Sequence, residues 1–436
     1  MKNQILILML QLVLLSNNVN AQGAWTTTTA PAVDFRYDDI YFLNPDTGWA
    51  ISLWSSWTQI QQGTVLKTTD GGISWQTLVD SSKAVFRDVG FLNSQIGFIG
   101  TLESGGTPQD TAILYKTTDG GTTWNDVLNL PGPRPAGICG MHVINDSTIY
   151  ACGRYPGPSG FYKTSDYGNT WSYINMNAYA GGLVDIFFFD PDTGFVVGTN
   201  GTIPDSSGII LSTTDGGNSW QVNHITTRLK EWCWKISFPS RNIGYVSLQS
   251  ARNDNNPQFF LKTIDGGVSW QEFSFTSGNQ LFNCEGIGFI NDTMGWIGGG
   301  DASLIKNYKT INGGITWTPD NFGNTINRFR FLSDTLGYAS GEGIYKFNFS
   351  STGISEHHSN SVGISVYPNP FLNELVINGT TAKGLIELYT IVGSRILKTN
   401  AKEKQTIIDT SKLTPGVYLI NYKEEKGTDN FKVLKF

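Results

Sequence analysis

A chain of 436 residues with 30 basic and 36 acidic side chains, 50 glycines and 13% aromatics is long enough for more than one domain. It is also too acidic for a nucleic-acid backbone, which needs a basic stripe. Four cysteines and four histidines are too few for a disulfide scaffold or a histidine-rich metal centre, so no metal or cofactor is expected.

The first stretch, MKNQILILMLQLVLLSNNVNA (1–21), has one early lysine, an apolar run from Ile5 to Leu15 and small or polar residues up to Ala21. The run is shorter than the roughly 20 residues of a membrane helix and has the form of a secretory signal peptide cleaved after Ala21. Later stretches are no more apolar, so the mature chain is expected to be exported without a transmembrane segment.

From residue 22 to 349 the chain repeats itself. KTTDGGISW ends at Trp75, and near-copies end at Trp124, Trp171, Trp220, Trp270 and Trp317. Their acidic positions are Asp70, Asp119, Asp166, Asp215, Asp265 and, as a variant, Asn312, spaced 47 to 50 residues apart. A second phrase alternates with the first, as in DIYFLNPDTGWAIS (39–52), DIFFFDPDTGFVVG (185–198) and RFRFLSDTLGYASG (328–341). It occurs seven times, and its alternating pattern around an Asn/Asp/Ser turn reads as a β-hairpin. Dense turn residues and no long helical period make the chain all-β, and the repeat length fits one four-stranded propeller blade. Seven hairpins with six acidic phrases leave the last blade one strand short. GAWTTTTAP (23–31) has the missing strand's Trp-then-polar character, so Trp25 to Thr29 is expected to close a seven-bladed ring.

The phrase [ST]-x-D-x-G-x-[ST]-W resembles that of BNR/Asp-box repeats. Its alternation with F-x-[ND]-x-x-x-G-[WFY] is similar to the photosystem II stability/assembly factor-like propellers, a resemblance that covers residues 23 to 349. It implies the propeller fold and, by analogy, a protein partner. Sialidases and xyloglucanases share the box, so a carbohydrate-active propeller, glycan binder or hydrolase, is the alternative function.

The six box positions read as structural. Each carboxylate stands before two glycines in a short turn, where it accepts backbone N–H bonds, and a lone carboxylate falls well short of the six to eight oxygens that calcium prefers. If the inner strand runs from top to bottom, these turns lie at the bottom and the variable loops at the top. A protein or glycan ligand is therefore sought on the top face. Candidates there are the cluster RLKEWCW (228–234), with Arg228, Lys230, Glu231, Trp232 and Trp234, together with Arg87, Glu285, Arg328, Trp54 and Trp57. Aromatic rings beside a few charges suit a sugar or a peptide. A sialidase-like site could on paper be arranged from Arg87, Arg228, Arg328, Tyr37, Glu231 and Glu285, although that family's arginine-isoleucine-proline phrase is absent. A non-catalytic binding or scaffold module is the reading preferred. Cys139 and Cys152 are equidistant from the Asn145–Asp146 turn, and Cys233 and Cys284 hold equivalent places on adjacent inner strands. Either pair is a candidate disulfide, with buried free thiols the alternative.

Residues 350–363, SSTGISEHHSNSVG, read as a linker. Beyond it, from Ile364 onward, there are 10 Lys/Arg against 7 Asp/Glu, leaving 20 against 29 before it. ISVYPNPFLNELVI, GLIELYTIVGSRILKT and the stretch ending in KVLKF alternate as strands, enough for a small β-sandwich over 364–436. Tyr367 to Phe371 as YPNPF, Leu413 to Tyr418 as LTPGVY and the final KVLKF resemble the type A C-terminal sorting domain of the type IX secretion system. That resemblance implies export to the cell surface or beyond, with the secretion machinery as a partner.

Overall fold

The structure, a computed structural model, describes residues 23–33, 35–53, 63–82, 84–102, 112–153, 157–202, 205–250, 257–277, 283–300, 305–349, 364–367, 371, 373–390, 394–414, 416–424 and 427–435. The expected signal peptide, the linker, Trp54, Trp57 and residues 368–370 of the tail lie outside them. No helix among the described residues is long and apolar enough to cross a membrane.

Residues 23–349 form one compact unit of seven four-stranded antiparallel sheets. In the first blade Arg36–Phe42, Gly48–Leu53, Gly63–Thr68 and Gln76–Ser82 follow one another from the axis outward. The other inner strands are Val85–Phe91, Ile138–Val143, Gly182–Phe188, Glu231–Ser237, Cys284–Phe289 and Arg328–Phe331. Each packs on the next, and the last packs on the first. Blade seven draws on both ends of the unit: Gly23–Thr27 pairs with Ile344–Phe349, Trp25 opposite Phe347. The Trp25 indole stacks on Phe322 at 4.6 Å and meets Trp296 edge-on at 5.3 Å.

The hairpin phrase encodes the contact between blades. Gly48, Gly97, Gly194, Gly244, Gly295 and Gly337 each lie under the phenylalanine six residues earlier, and a Cβ there would fall 2.3 to 2.7 Å from its ring. Only glycine leaves the ring room to cross its own hairpin. The aromatic residue after the glycine stacks on the phenylalanine of the following blade: Trp49 on Phe91 and Tyr245 on Phe289 at 3.5 Å, and Tyr338 on Phe42 at 3.7 Å across the closure. Stacking adds about 0.5–1.5 kcal/mol per pair to the burial of these large rings.

In the acidic phrase the carboxylate and the hydroxyls on either side of it bond within the turn. Asp119 Oδ1 accepts from Thr117 Oγ1 at 2.8 Å and Thr123 N at 2.9 Å, Oδ2 accepts from Thr123 Oγ1 at 2.6 Å, and Gly121 N donates to Thr117 Oγ1 at 2.9 Å. The same pattern holds around Asp70, Asp166, Asp215 and Asp265. Asn312 keeps it with one bond reversed, its Nδ2 donating to Thr316 Oγ1 at 2.8 Å. Bonds from the Thr123 hydroxyl and amide hold the Asp119 carboxyl at about 2. The lysine that opens the phrase reaches the next blade: Lys262 Nζ donates to Gly313 O at 2.7 Å, and Lys346 Nζ to Gly71 O at 2.8 Å across the closure.

Asp119→Ala is therefore expected to lower the melting temperature by a few degrees, and Asp119→Asn, which copies Asn312, to restore most of it. The native carboxylate's contribution is present above its unfolded value of about 3.9 and is lost as the pH falls through about 2. Melting curves between those pH values should converge for native protein and Asp119→Asn; parallel curves would deny the carboxylate this role.

All four cysteines are buried free thiols, the alternative to the candidate Cys139–Cys152 and Cys233–Cys284 bridges, neither of which is present. Cys139 is the extra residue where the pairing of its hairpin slips, so Gly140 rather than Cys139 stands opposite Cys152. Cys233 and Cys284 are on neighbouring inner strands but pack into separate inter-blade clusters, one with Ile210 and Val246, the other with Phe260 and Ile297.

The tail unit has a three-stranded sheet, Ser365–Tyr367, Glu374–Thr380 and Lys404–Asp409, and a four-stranded one, Arg395–Asn400, Leu385–Thr390, Gly416–Glu424 and Gly427–Lys435. Leu375, Ile377 and Ile408 of the first share one apolar core with Ile386, Leu388, Ile420 and Val433 of the second, which makes a β-sandwich.

Candidate functional site

Two faces are distinguished by their connections. Gly71 N donates to Asp46 O at 2.8 Å, and Gly120, Gly216, Gly266 and Gly313 make the equivalent bond, so box turns and inner hairpin turns share one face. The opposite, loop-bearing face leads to the axis, and there the inner strands carry a repeated irregularity. Pairing with the second strand shifts between Tyr37 and Asp39, Phe86 and Asp88, Leu183 and Asp185, Cys233 and Ile236, and at the matching places of blades three and six. Such a bulge turns two consecutive side chains toward the same side of a strand. Here that side is the axis, and Asp38 with Asp39, Arg87 with Asp88 and Trp234 with Lys235 all face it.

These groups fill the axis with two polar layers. In the deeper one Arg328 of blade seven reaches across the ring: Nε donates to Asp39 at 2.9 Å, Nη2 to Asp88 at 2.8 Å and Nη1 to both oxygens of Asp185 at 3.0 Å. Arg330 adds a second cation 3.5 Å from Asp39. Burial pushes the Asp39 carboxyl up, but the Arg328 and Arg330 guanidiniums outweigh it and hold the group at about 2. Asp88 goes the other way, raised well above the carboxylate range by burial and by the neighbouring Asp39. Lys235 is 1% exposed, and its Nζ has no hydrogen-bond partner among the described residues. Burial and the Arg328 charge pull its ammonium down to about 8, against the attraction of Asp185.

The upper layer joins Asp38 to Arg36 at 2.8 Å and to Arg87, and Arg36 in turn to Glu285. The Arg87 guanidinium lies 4.8 Å over the Trp234 ring, and Trp234 Nε1 donates to Asn327 Oδ1 at 2.8 Å. Arg87, Glu285 and Arg328, expected around an open mouth, are thus at most 6% exposed and bonded to one another's neighbours. Tyr37 is fully buried, its hydroxyl on Pro31 O at 2.6 Å. Glu231 is 1% exposed and accepts from Arg228 Nε at 2.9 Å, while the Arg228 guanidinium covers Phe259 at 3.6 Å and also pairs with Glu272. Of the predicted cluster, Lys230 remains exposed and Trp232 half-exposed, its ring 6.3 Å from Trp234.

The Lys235 ammonium supplies a test of the deeper layer. A base whose folded pKa of about 8 lies below its unfolded value of about 10.4 binds fewer protons folded than unfolded between those values. Stability relative to Lys235→Met should therefore rise as pH increases through that window, read from melting curves of the two proteins. A flat difference would place the ammonium in contact with water, and a falling one would mean that the surrounding carboxylates outweigh its burial.

Residues 168–278 match the family described as photosynthesis system II assembly factor YCF48, and residues 365–435 match the secretion system C-terminal sorting domain. A search of the curated proteins finds no match. Among solved structures the chain is similar to YCF48 bound to D1 peptide, at 16% identity over 75% of this chain and 97% of that one, with a TM-score of 0.54. PorZ, a bacterial surface component of the type-IX secretion system of Porphyromonas gingivalis, is 14% identical over 93% of this chain and 61% of its own, with a TM-score of 0.50. An ancestral GH74 enzyme is 13% identical over 94% and 63%, also with a TM-score of 0.50. At such identities these likenesses are of fold, and the fold is the β-propeller. The tail adds a destination: a type IX sorting domain directs this chain to the cell surface or outside it.

Proposed function

We infer that the propeller is an exported, non-catalytic binding or scaffold module that takes a protein or peptide on its loop-bearing face, around Trp232 and Lys230. The supporting observation is the state of Glu231 and Glu285. Glycoside hydrolysis needs one carboxylate free as acid and another free as base or nucleophile. Each of these two is instead buried against an arginine. The Trp232–Trp234 pair offers an amphipathic platform that stacks on a peptide side chain or a sugar ring. The solved relative that carries a D1 peptide favours the peptide by analogy.

The test titrates the full mature chain with peptide arrays and with xyloglucan and sialylated oligosaccharides, while release of sugar product is followed. Peptide binding weakened by Trp232→Ala and unaffected by Asp119→Ala is the expected result. Product release, or binding indifferent to Trp232→Ala, overturns the reading.

A further inference from the structure

Three blades of the turn face differ from the rest of it. A cavity of about 700 Å3 opens among the inner hairpin turns of blades five, six and seven. Phe238, Phe289 and Phe331 line it, with the exposed carboxylates of Asp292 and Asp334, and no lysine or arginine among the described residues does. Just outside it the box turns of blades five and six carry Ile264, Val268, Ile311 and Ile315, which are 66 to 79% exposed. The turn itself does not ask for them, because blades two to four build the same bonds with Thr118, Thr122, Ser165, Asn169, Thr214 and Asn218 there. The blade-six turn adjoins the cavity, since Gly313 N donates to the O of Thr293, a lining residue, at 2.8 Å, and Lys262 Nζ of blade five reaches the same turn at Gly313 O. Single exposed aliphatics mean little, and blade one carries one at Ile73, but two on each of two adjacent blades beside a cavity suit a contact site.

We propose that this part of the turn face is a second docking surface, for a partner-protein segment in which basic side chains adjoin aliphatic ones. The cation enters the cavity between Asp292 and Asp334, above the phenylalanine rings, and the aliphatic neighbours cover the four tips. Charge selects this occupant. The carboxylate rim repels an anionic membrane surface, and a second copy brings a part that is itself acidic, with 20 Lys/Arg against 29 Asp/Glu before Ile364.

The experiment titrates the full mature chain, at low and physiological salt, with a fluorescein-labelled peptide alternating leucine and arginine. Peptides with glutamate for arginine, or serine for leucine, serve as controls. Binding of the Leu/Arg peptide alone is expected, weakened at least about tenfold by Asp292→Asn with Asp334→Asn, and several-fold by Ile311→Thr with Ile315→Thr. Trp232→Ala, and Asp146→Asn with Asp192→Asn elsewhere on the same face, should leave it unchanged. Equal loss in that second aspartate pair would mean unspecific attraction and overturn the proposal, as would dependence on Trp232. Self-association of the chain that is abolished by Ile311→Thr with Ile315→Thr would assign the patch to a second copy and overturn it too.

Discussion

Arg328→Ala is expected to cost the propeller about 3–5 kcal/mol, a large share of the roughly 5–15 kcal/mol that holds a domain folded. The side chain is 6% exposed and is bonded to Asp39, Asp88 and Asp185, which belong to blades one, two and four. Truncation leaves these carboxylates buried beside one another with Arg330 and Lys235 as the remaining nearby cations. Arg328→Lys keeps the charge but not the planar fork that reaches three acids at once, so it should recover only part of the loss. Adding Asp88→Asn to Arg328→Ala removes the carboxylate whose ionisation burial already opposes, and should restore some stability. Thermal melts followed by near-ultraviolet circular dichroism check all three. A melting temperature indifferent to Arg328→Ala would mean that the axial layer contributes nothing net.

The second large effect is expected at the closure. Trp25→Ala removes a ring packed against Trp296, Phe322, Phe329, Phe331 and Phe347, a truncation of the kind that costs about 3–5 kcal/mol. Because the lost contacts bind the first strand to the last blade, the damage should begin there. Amide exchange at Tyr345 and Phe347 should accelerate before that of blades two to four. Deleting 23–27 outright bares the edge of Ile344–Phe349 and should produce oligomers by edge pairing, seen as a shift in light-scattering mass. A synthetic peptide of residues 23–31 added in trans should reverse it. An unchanged, monomeric deletion variant would show that the ring holds without its seventh outer strand.

The closure was legible because both phrases repeat with fixed spacing and the count of one exceeds the count of the other. The axial layers were not. Their deeper members occupy one position of the hairpin phrase, the first, which reads Asp39, Asp88, Gly140, Asp185, Lys235, Gly286 and Arg328 down the chain. Asp185 and Lys235 are opposite charges in adjacent copies, but Asp185 and Arg328 meet only when the ring brings blade four opposite blade seven. The available signal was the strand period: charged residues at one register position of six or seven equivalent strands must meet on the axis. The bulge hid the second member of each pair, since strict alternation sends Asp38, Arg87 and Trp234 into the sheet core. It also undid the Cys139–Cys152 pairing, which was symmetric about its turn in sequence and one residue out of step in space. Of the loop-face cluster around residue 230, Arg228 and Glu231 are tied to each other and Arg228 also to Glu272 from another strand, a partner that the local sequence does not display.

The closed seventh blade also decides how the propeller bears load. The chain leaves it at the end of Ile344–Phe349, a strand flanked on one side by Gly23–Thr27 and on the other by Leu336–Ser340, with five paired residues in each register. Consider a pull applied at residue 349 along the axis of that strand. The hydrogen bonds on both sides are then strained together in shear instead of being peeled one at a time. An outermost strand in the same position would unzip from its end. The borrowed N-terminal strand thus makes the attachment point an interior strand, and the force reaches the ring as a whole.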